Sequence, residues 1–172
     1  MKTRWAALAV LVMACGPAPV TPPPEESFIA FEADFTGYRT WEPFPLDGTA
    51  QAPAHLAGHR VVYLKKRPPA GATGWPVGTI IVKEFTQAAL VDRQVFAMVK
   101  RGGSYNLTGA TGWEWWELKN SDEQTAKKTW RGVGPPSGEN YGGDPTGGCN
   151  VCHSGAKAND FVQSIQLADV SR

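Results

Sequence analysis

The strongest constraint on the fold of this chain is the run Cys-Asn-Val-Cys-His at 149–153, near the C-terminal end of the sequence. Two thiols three positions apart suit thioether bonds to the two vinyl groups of one haem. The imidazole that follows directly suits the proximal position on the haem iron. The sequence therefore predicts a single covalent haem c held by Cys149 and Cys152, with His153 as the metal ligand.

Two other interpretations of this motif stay open. A zinc site needs a fourth ligand, usually from a second Cys or His pair, and the only other cysteine is the distant Cys15. A thioredoxin-type redox pair needs no histidine and favours a strand-to-helix setting, whereas glycines flank the motif at 147–148. Both explain the motif less fully than a haem does.

The first 14 residues have the pattern of a secretory signal peptide, with Lys2 and Arg4 ahead of a short apolar run. The residues Val-Met-Ala-Cys at 12–15 resemble a bacterial lipobox, which predicts a lipid anchor at Cys15. The alternative is an ordinary signal peptide that is cut a few residues later. Both interpretations predict export, and the first predicts a periplasmic, membrane-anchored lipoprotein.

Residues 15–26 form a predicted Pro-rich tether, because prolines lack the amide hydrogen that regular structure needs. A single domain is predicted over 27–172, which is long enough to bury one core. The formal charge is +1, and removal of Lys2 and Arg4 leaves 1 − 2 = −1. This near-neutral balance gives no support for nucleic-acid binding.

The sequence predicts a mainly β (α+β) protein. Fourteen prolines and nineteen glycines argue against a helical bundle. Runs rich in β-branched and aromatic residues predict four antiparallel strands near 60–64, 78–85, 94–100 and 113–118. The predicted fold class is an antiparallel sheet capped by a few short helices, with a single c-type haem near the C-terminus.

Helical patterns are fewer than strand patterns. Aromatic residues at a helical period predict a helix over 31–41, and Asn159-Asp160 is the predicted N-cap of a helix over 161–167. The segment 121–130 stays open between a helix, with Ser121 and Gln124 as a capping box, and a hairpin loop.

No residue stands out as a sixth ligand to the iron. After removal of the signal peptide, Met98 is the only thioether, and His55 and His59 are the only other imidazoles. Met98 has the position of a core methionine, and the two histidines have loop or surface positions. The scarcity of ligands predicts an open iron that binds small molecules.

Lys83 is the second residue with an unusual setting. Alternation along its strand places it on one face with Thr79, Ile81 and Phe85. A lysine buried among apolar residues is costly unless it is paired, deprotonated or modified. The alternative is an edge-strand lysine whose ammonium reaches water and discourages aggregation.

Several segments together resemble the cytochrome P-460 family and its relatives, the β-sheet cytochromes c-prime-beta. They follow the family's order and cover most of 31–167. The resemblance rests on Tyr-Arg-Thr-Trp at 38–41, His-Arg-Val-Val-Tyr at 59–63, Gly-Thr-Ile-Ile-Val-Lys-Glu at 78–84, Gly-Trp-Glu-Trp-Trp at 112–116, the haem motif and Asn-Asp-Phe-Val at 159–162.

The resemblance implies a five-coordinate c-type haem on a β-rich fold that is usually a homodimer. Lys83 matches the lysine that is covalently bonded to the porphyrin edge in the P-460 group. These proteins oxidise hydroxylamine, and some also handle nitric oxide, which implies a hydroxylamine oxidoreductase-type enzyme with a redox partner such as a cytochrome. Relatives without the cross-link bind nitric oxide or carbon monoxide.

Three further positions follow from the resemblance. Arg60 matches a distal arginine that would steer the ligand, and its alternative is a surface arginine at a strand start. Asp144 matches a carboxylate that would act as base, and its alternative is a turn aspartate. Phe96 matches the position of a second acidic residue in the family. A phenylalanine cannot take up a proton and makes the pocket drier, which favours a non-catalytic gas-binding protein. The functional hypotheses are therefore a hydroxylamine-oxidising enzyme, a gas-binding protein and, third, a simple electron-transfer cytochrome.

Overall fold

The computed structural model describes residues 25–46, 58–137 and 148–172. Six strands form one antiparallel sheet in chain order, so each inner strand pairs with the strands before and after it. The prediction of a mainly β protein with an antiparallel sheet and a few short helices is confirmed. The strands are β1 (Glu42–Leu46), β2 (Arg60–Leu64), β3 (Ile80–Phe85), β4 (Val95–Lys100), β5 (Trp113–Asn120) and β6 (Ala126–Gly132).

The helices of the described residues are all short. Two are α-helices, α1 (Cys149–Ser154) and α2 (Leu167–Val170). Four are single 3₁₀ turns at Glu32–Phe35, Tyr38–Thr40, Leu90–Asp92 and Lys157–Asn159. No helix among the described residues is long and apolar enough to cross a membrane.

The four predicted strands correspond to β2, β3, β4 and β5, and two further strands flank them. β1 contains Pro43 and Pro45, which lack a donor, and an edge strand tolerates this loss. β6 shows that the hairpin interpretation of 121–130 is the right one. Asp122 Oδ1 accepts hydrogen bonds from Gln124 N at 2.8 Å and Thr125 N at 2.7 Å, which closes the turn.

The predicted helix over 31–41 is wrong. Two 3₁₀ turns replace it, because Gly37 between them has the left-handed φ of 65° and breaks the helical path. Phe35 and Tyr38 are nevertheless buried against the sheet. The aromatic period therefore marked a packing face rather than a continuous helix.

The predicted helix over 161–167 is also wrong. Asp160 and Phe161 have positive φ angles of 49° and 67°, so the chain turns sharply where the helix should begin. Asn159 does not cap Phe161: its amide donates to the carbonyls of Val162 and Ile165, at 2.6 and 2.8 Å. Only Leu167–Val170 is helical, and Asn159 Oδ1 accepts from the backbone N–H of Leu167 at 2.9 Å.

The two faces of the sheet bury separate apolar clusters. Residues 28–41 cover one face, here called the N-terminal face, which includes Ile80 and Val82 of β3. Residues 149–170 cover the other, the C-terminal face, which includes Ile81 and Phe85. The predicted alternation of β3 is confirmed, and α1 packs on the same face as the odd-numbered residues of β3.

The N-terminal face contains two buried carboxylates, each held by two arginines. Glu84 is bonded to Arg39 at 2.6 Å and to Arg93 at 3.4 Å. Glu114 is bonded to Arg131 at 2.7 Å and to Arg101 at 3.5 Å. A buried charge is tolerated only when it is paired and hydrogen-bonded. These two ion-pair clusters therefore stabilise the N-terminal face, which is the face of the sheet opposite the motif at 149–153.

Candidate functional site

The haem motif forms α1 and the loop that follows it. Cys149 and Cys152 are three positions apart on α1, so their side chains lie on one side of the helix. Neither cysteine is in a disulfide, and both are half-buried. Cys149 packs against the apolar cluster of the C-terminal face. The two thiols therefore lie on the same side of α1, as attachment to one group requires.

The His153 ring is held in one orientation. Its Nδ1 lies 2.7 Å from the carbonyl oxygen of Phe161. Because a carbonyl only accepts, Nδ1 carries the hydrogen, and Nε2 keeps its lone pair. The ring also packs on Trp115, with centroids 4.5 Å apart and planes tilted by 55°. This is the tautomer that an Nε2 metal ligand needs.

The pKa of His153 is lowered to about 4, first by burial and then by the charge of Lys83, while its bond to Phe161 acts in the opposite direction. The unfolded chain takes up this proton near pH 6.5, and the folded chain does so only near pH 4. We therefore expect the folded haem-free chain to lose stability as the pH falls from about 6.5 to 4. Urea unfolding at several pH values should show a smaller loss for His153→Gln, and equal slopes would contradict the assignment.

Asn150 lies between the two cysteines and joins α1 to the rest of the domain. Its Oδ1 accepts from the indole of Trp115 at 2.9 Å, from Asn106 Nδ2 at 2.9 Å and from Ala110 N at 3.1 Å. Its Nδ2 donates to Val133 O at 2.9 Å. Since Trp115 also contacts His153, Asn150 supports the ring of the predicted ligand.

Gly109 leaves the space that this asparagine fills. A Cβ at Gly109 would lie 2.2 Å from Cγ of Asn150, which no side chain tolerates. The sequence analysis missed Asn150, because the motif assigns no role to the residues between its cysteines. Its partners lie up to 44 positions away in the chain, so no local sequence pattern predicts these contacts.

Replacement of Asn150 by alanine should lower the free energy of unfolding by about 2–3 kcal/mol, because several partly buried partners lose their hydrogen bonds at once. Val151→Ala is the matched control, since Val151 is 69 % exposed and should change stability by less than about 0.5 kcal/mol. Urea unfolding of both variants measures the difference. Equal stabilities would show that Asn150 does not anchor α1.

Lys83 lies on the C-terminal face in the interior of the sheet. Its neighbours across β2 and β4 are Val62 and Phe96. The alternative of an edge-strand lysine is therefore wrong, because β3 is the third of six strands. The side chain is half-buried, and its Nζ lies 5.7 Å from the centre of the Phe85 ring.

The pKa of Lys83 is lowered to about 8, first by burial and then by the charge of Arg60. The thiols of Cys152 and Cys149 act in the opposite direction. A lysine near pKa 8 has a substantial neutral fraction at physiological pH, and the neutral amine is the nucleophilic form.

Arg60 lies on the same face at the start of β2 and is 8 % exposed. The alternative of a surface arginine is therefore wrong. Its guanidinium carbon lies 5.7 Å from the centre of the Phe85 ring, and its Nε donates to Gly58 O at 3.3 Å. The structure brings Arg60 and Lys83 together on the face that α1 covers.

Phe96 is buried and pairs directly with Lys83 across the sheet. Glu117 of β5 pairs with Phe96 on its other side, in the same row of the same face. Strands lie about 4.8 Å apart, so Glu117 is roughly 10 Å from Lys83 along the row. A register irregularity follows Glu117, and such bulges re-aim side chains near functional sites.

The sequence analysis missed Glu117, although a signal was present. Alternation along β5 places it with Trp113 and Trp115, and both are buried on the C-terminal face. A half-buried carboxylate among aromatic residues is as unusual as the half-buried amine of Lys83. Alternation along β5 was therefore a sufficient signal for Glu117.

The other residues weighed as iron ligands contribute little to this site. Met98 is buried in the apolar core between Ile81 and Trp115, which agrees with its interpretation as a core residue. His59 is exposed, as predicted. Three predicted residues lie outside the described part of the chain: Cys15, His55 and Asp144.

The donor set fits a covalent haem. Two thiols that form no disulfide lie on one side of α1, and Nδ1 of the neighbouring imidazole is bonded to the Phe161 carbonyl, which leaves the lone pair on Nε2. Within 25–46, 58–137 and 148–172, no group of three or more His, Cys, Asp or Glu side chains could hold a metal ion. The described residues thus offer no ligand set for the zinc interpretation of the motif.

No family model, curated protein or solved structure matches this chain. The resemblance to the cytochrome P-460 family therefore stays a prediction that rests on the quoted sequence segments.

Proposed function

We propose that the protein is an exported c-type haem protein that oxidises hydroxylamine. In this proposal one haem c is bonded to Cys149 and Cys152, and His153 is the axial ligand. The observation that carries the proposal is the position of Lys83. It lies in the interior of the sheet, on the face against which Cys149 of α1 packs, and shares the Phe85 ring with Arg60.

The haem would supply an iron that binds hydroxylamine and accepts its electrons. The residues of the chain would orient the ligand and move its protons. Arg60 would offer a fixed cation to an oxygen atom of the ligand. Glu117 and Asp144 are the carboxylates proposed to take up the protons that hydroxylamine loses. Lys83 would be the residue joined to the porphyrin edge, a step that replaces one N–H and one C–H bond by an N–C bond and gives two protons and two electrons to an oxidant such as a peroxide.

A second function is supported by Phe96. A buried phenyl ring is the direct neighbour of Lys83, where the resembled family has an acidic residue. Such a ring makes the pocket drier and takes no proton. The alternative proposal is a protein that binds nitric oxide or carbon monoxide without turnover. The electron-transfer proposal has less support, since Met98 is buried in the core and His59 is exposed.

The proposal also covers the location of the protein, its assembly and its redox partner. Export to the periplasm, a lipid anchor at Cys15, a homodimeric assembly and a cytochrome as redox partner all belong to it. The acceptor matters most, because electrons taken from hydroxylamine have to leave the protein for turnover to continue.

The decisive assay mixes purified haem-loaded protein with hydroxylamine and a soluble electron acceptor. Consumption of hydroxylamine together with reduction of the acceptor is the expected result. Tight binding of nitric oxide without consumption of hydroxylamine would favour the gas-binding alternative. A Cys149→Ser/Cys152→Ser variant, which has no thiols for haem attachment, is the control for background chemistry.

A further inference from the structure

The backbone beside the predicted iron ligand is strained. Asp160 and Phe161 have positive φ angles of 49° and 67°, and neither is a glycine. The left-handed region costs a non-glycine residue roughly 1–2 kcal/mol, so two such residues in succession need support from their surroundings. The carbonyl of Phe161 accepts the Nδ1 hydrogen of His153 at 2.7 Å. The strained residue Phe161 thus supplies the carbonyl that orients the imidazole of His153.

Asp160 supplies much of that support. Lys100 Nζ donates to its Oδ1 at 2.8 Å, and Trp75 N donates to its Oδ2 at 3.2 Å. The indole of Trp113 donates to its backbone carbonyl at 2.8 Å. Lys100 belongs to β4 and Trp113 to β5, so the sheet itself holds Asp160 in place.

The flanking residues hold the same turn from the other side. The N–H of Phe161 donates to Ala156 O at 2.9 Å, and the side chain of Asn159 binds the following loop. Phe161 itself is buried in the apolar cluster of the C-terminal face. The Asp160 side chain, bonded to Lys100 Nζ and to the backbone N–H of Trp75, is thus one of the contacts that hold the Phe161 carbonyl in place.

We propose that Asp160 is a positioning residue of the haem centre. It holds the left-handed turn that keeps the Phe161 carbonyl on Nδ1 of His153. A hydrogen bond at Nδ1 raises the basicity of a ligating imidazole, and such bonds are one means by which proteins set haem reduction potentials. The inference rests on the proposed function, because it requires His153 to be the axial ligand.

The test compares three variants of the haem-loaded protein. The readouts are the iron–histidine stretching frequency of the ferrous protein, from resonance Raman spectroscopy, and the reduction potential. Asp160→Ala should lower the frequency and raise the potential, because a weaker Nδ1 bond makes the imidazole a poorer donor. Lys100→Met should also lower the frequency and raise the potential, but by a smaller amount than Asp160→Ala. Asp160→Asn should shift both less than Asp160→Ala, since asparagine tolerates the left-handed region and keeps one oxygen as an acceptor for Lys100.

Asp169→Ala is the matched control, because the Asp169 side chain is 61 % exposed and pairs only with Arg172 among the described ion pairs. Haem-loaded Asp160→Ala with wild-type frequency and potential would overturn this inference and leave the proposed function intact. Wild-type protein without a covalent haem would overturn both. If Asp160→Ala fails to fold, Lys100→Met decides, and wild-type values for that variant overturn the inference.

Discussion

Replacement of Glu84 by alanine should lower the free energy of unfolding by about 3–5 kcal/mol, the range for a buried ion pair that loses one partner. The Glu84 side chain is fully buried. Its burial alone would raise its pKa, but the hydrogen bonds and charge of Arg39, and then the charge of Arg93, lower it. In the variant, Arg39 still binds the Tyr38 hydroxyl at 2.7 Å and Glu123 O at 3.0 Å, so its charge stays partly buried without a carboxylate.

Urea unfolding of the variant and of two controls measures this effect. Glu84→Gln keeps an oxygen that accepts from Arg39 and should lose less than Glu84→Ala. Glu123→Ala removes an exposed carboxylate beside the same arginine, and should change stability by less than about 0.5 kcal/mol. A loss for Glu84→Ala no larger than that of Glu123→Ala would show that the cluster does not stabilise the sheet.

Replacement of Lys83 by methionine should reduce hydroxylamine oxidation to the rate of the Cys149→Ser/Cys152→Ser variant, while the haem stays attached. Methionine has a similar length and no charge to bury, so the fold should be no less stable. Lys83→Arg should also lose activity, because a guanidinium stays protonated and is not a nucleophile. The measurements are steady-state turnover and the absorption spectrum of the haem.

Lys119→Met is the control for this prediction, because Lys119 is exposed on β5 and should have no effect. Full activity of Lys83→Met with an unchanged haem spectrum would remove Lys83 from the mechanism. Loss of the haem itself from Lys83→Met would instead give this residue a role in assembly of the site.

The face on which Lys83 lies could be predicted because alternation along a strand is a local property, whereas the interior place of β3 in the sheet could not. A period of two fixes which face each residue occupies once 78–85 is taken as a strand. The same argument applied to β5 would have found Glu117. The strands β2 to β5 were predictable from their β-branched and aromatic residues, whereas Pro43 and Pro45 made β1 unlike a strand.

The turn at Asp160 and Phe161 could not be predicted in the same way. The segment 161–167 has an apolar pattern that suits a helix, but contacts from β4 and β5 hold the backbone in the left-handed region. Those contacts come from residues 47 to 60 positions earlier in the chain. Asn150 is a similar case, since its role is set by distant partners.

The most direct test of the account is a peptide map of the exported protein after trypsin digestion. Trypsin does not cut after a modified lysine, so the account predicts one species that joins the peptide Arg67–Arg93 to the haem peptide of Cys149 and Cys152. A haem peptide together with a free cut after Lys83 would contradict the lysine cross-link and favour the gas-binding alternative. Absence of haem from Cys149 and Cys152 would contradict the account as a whole.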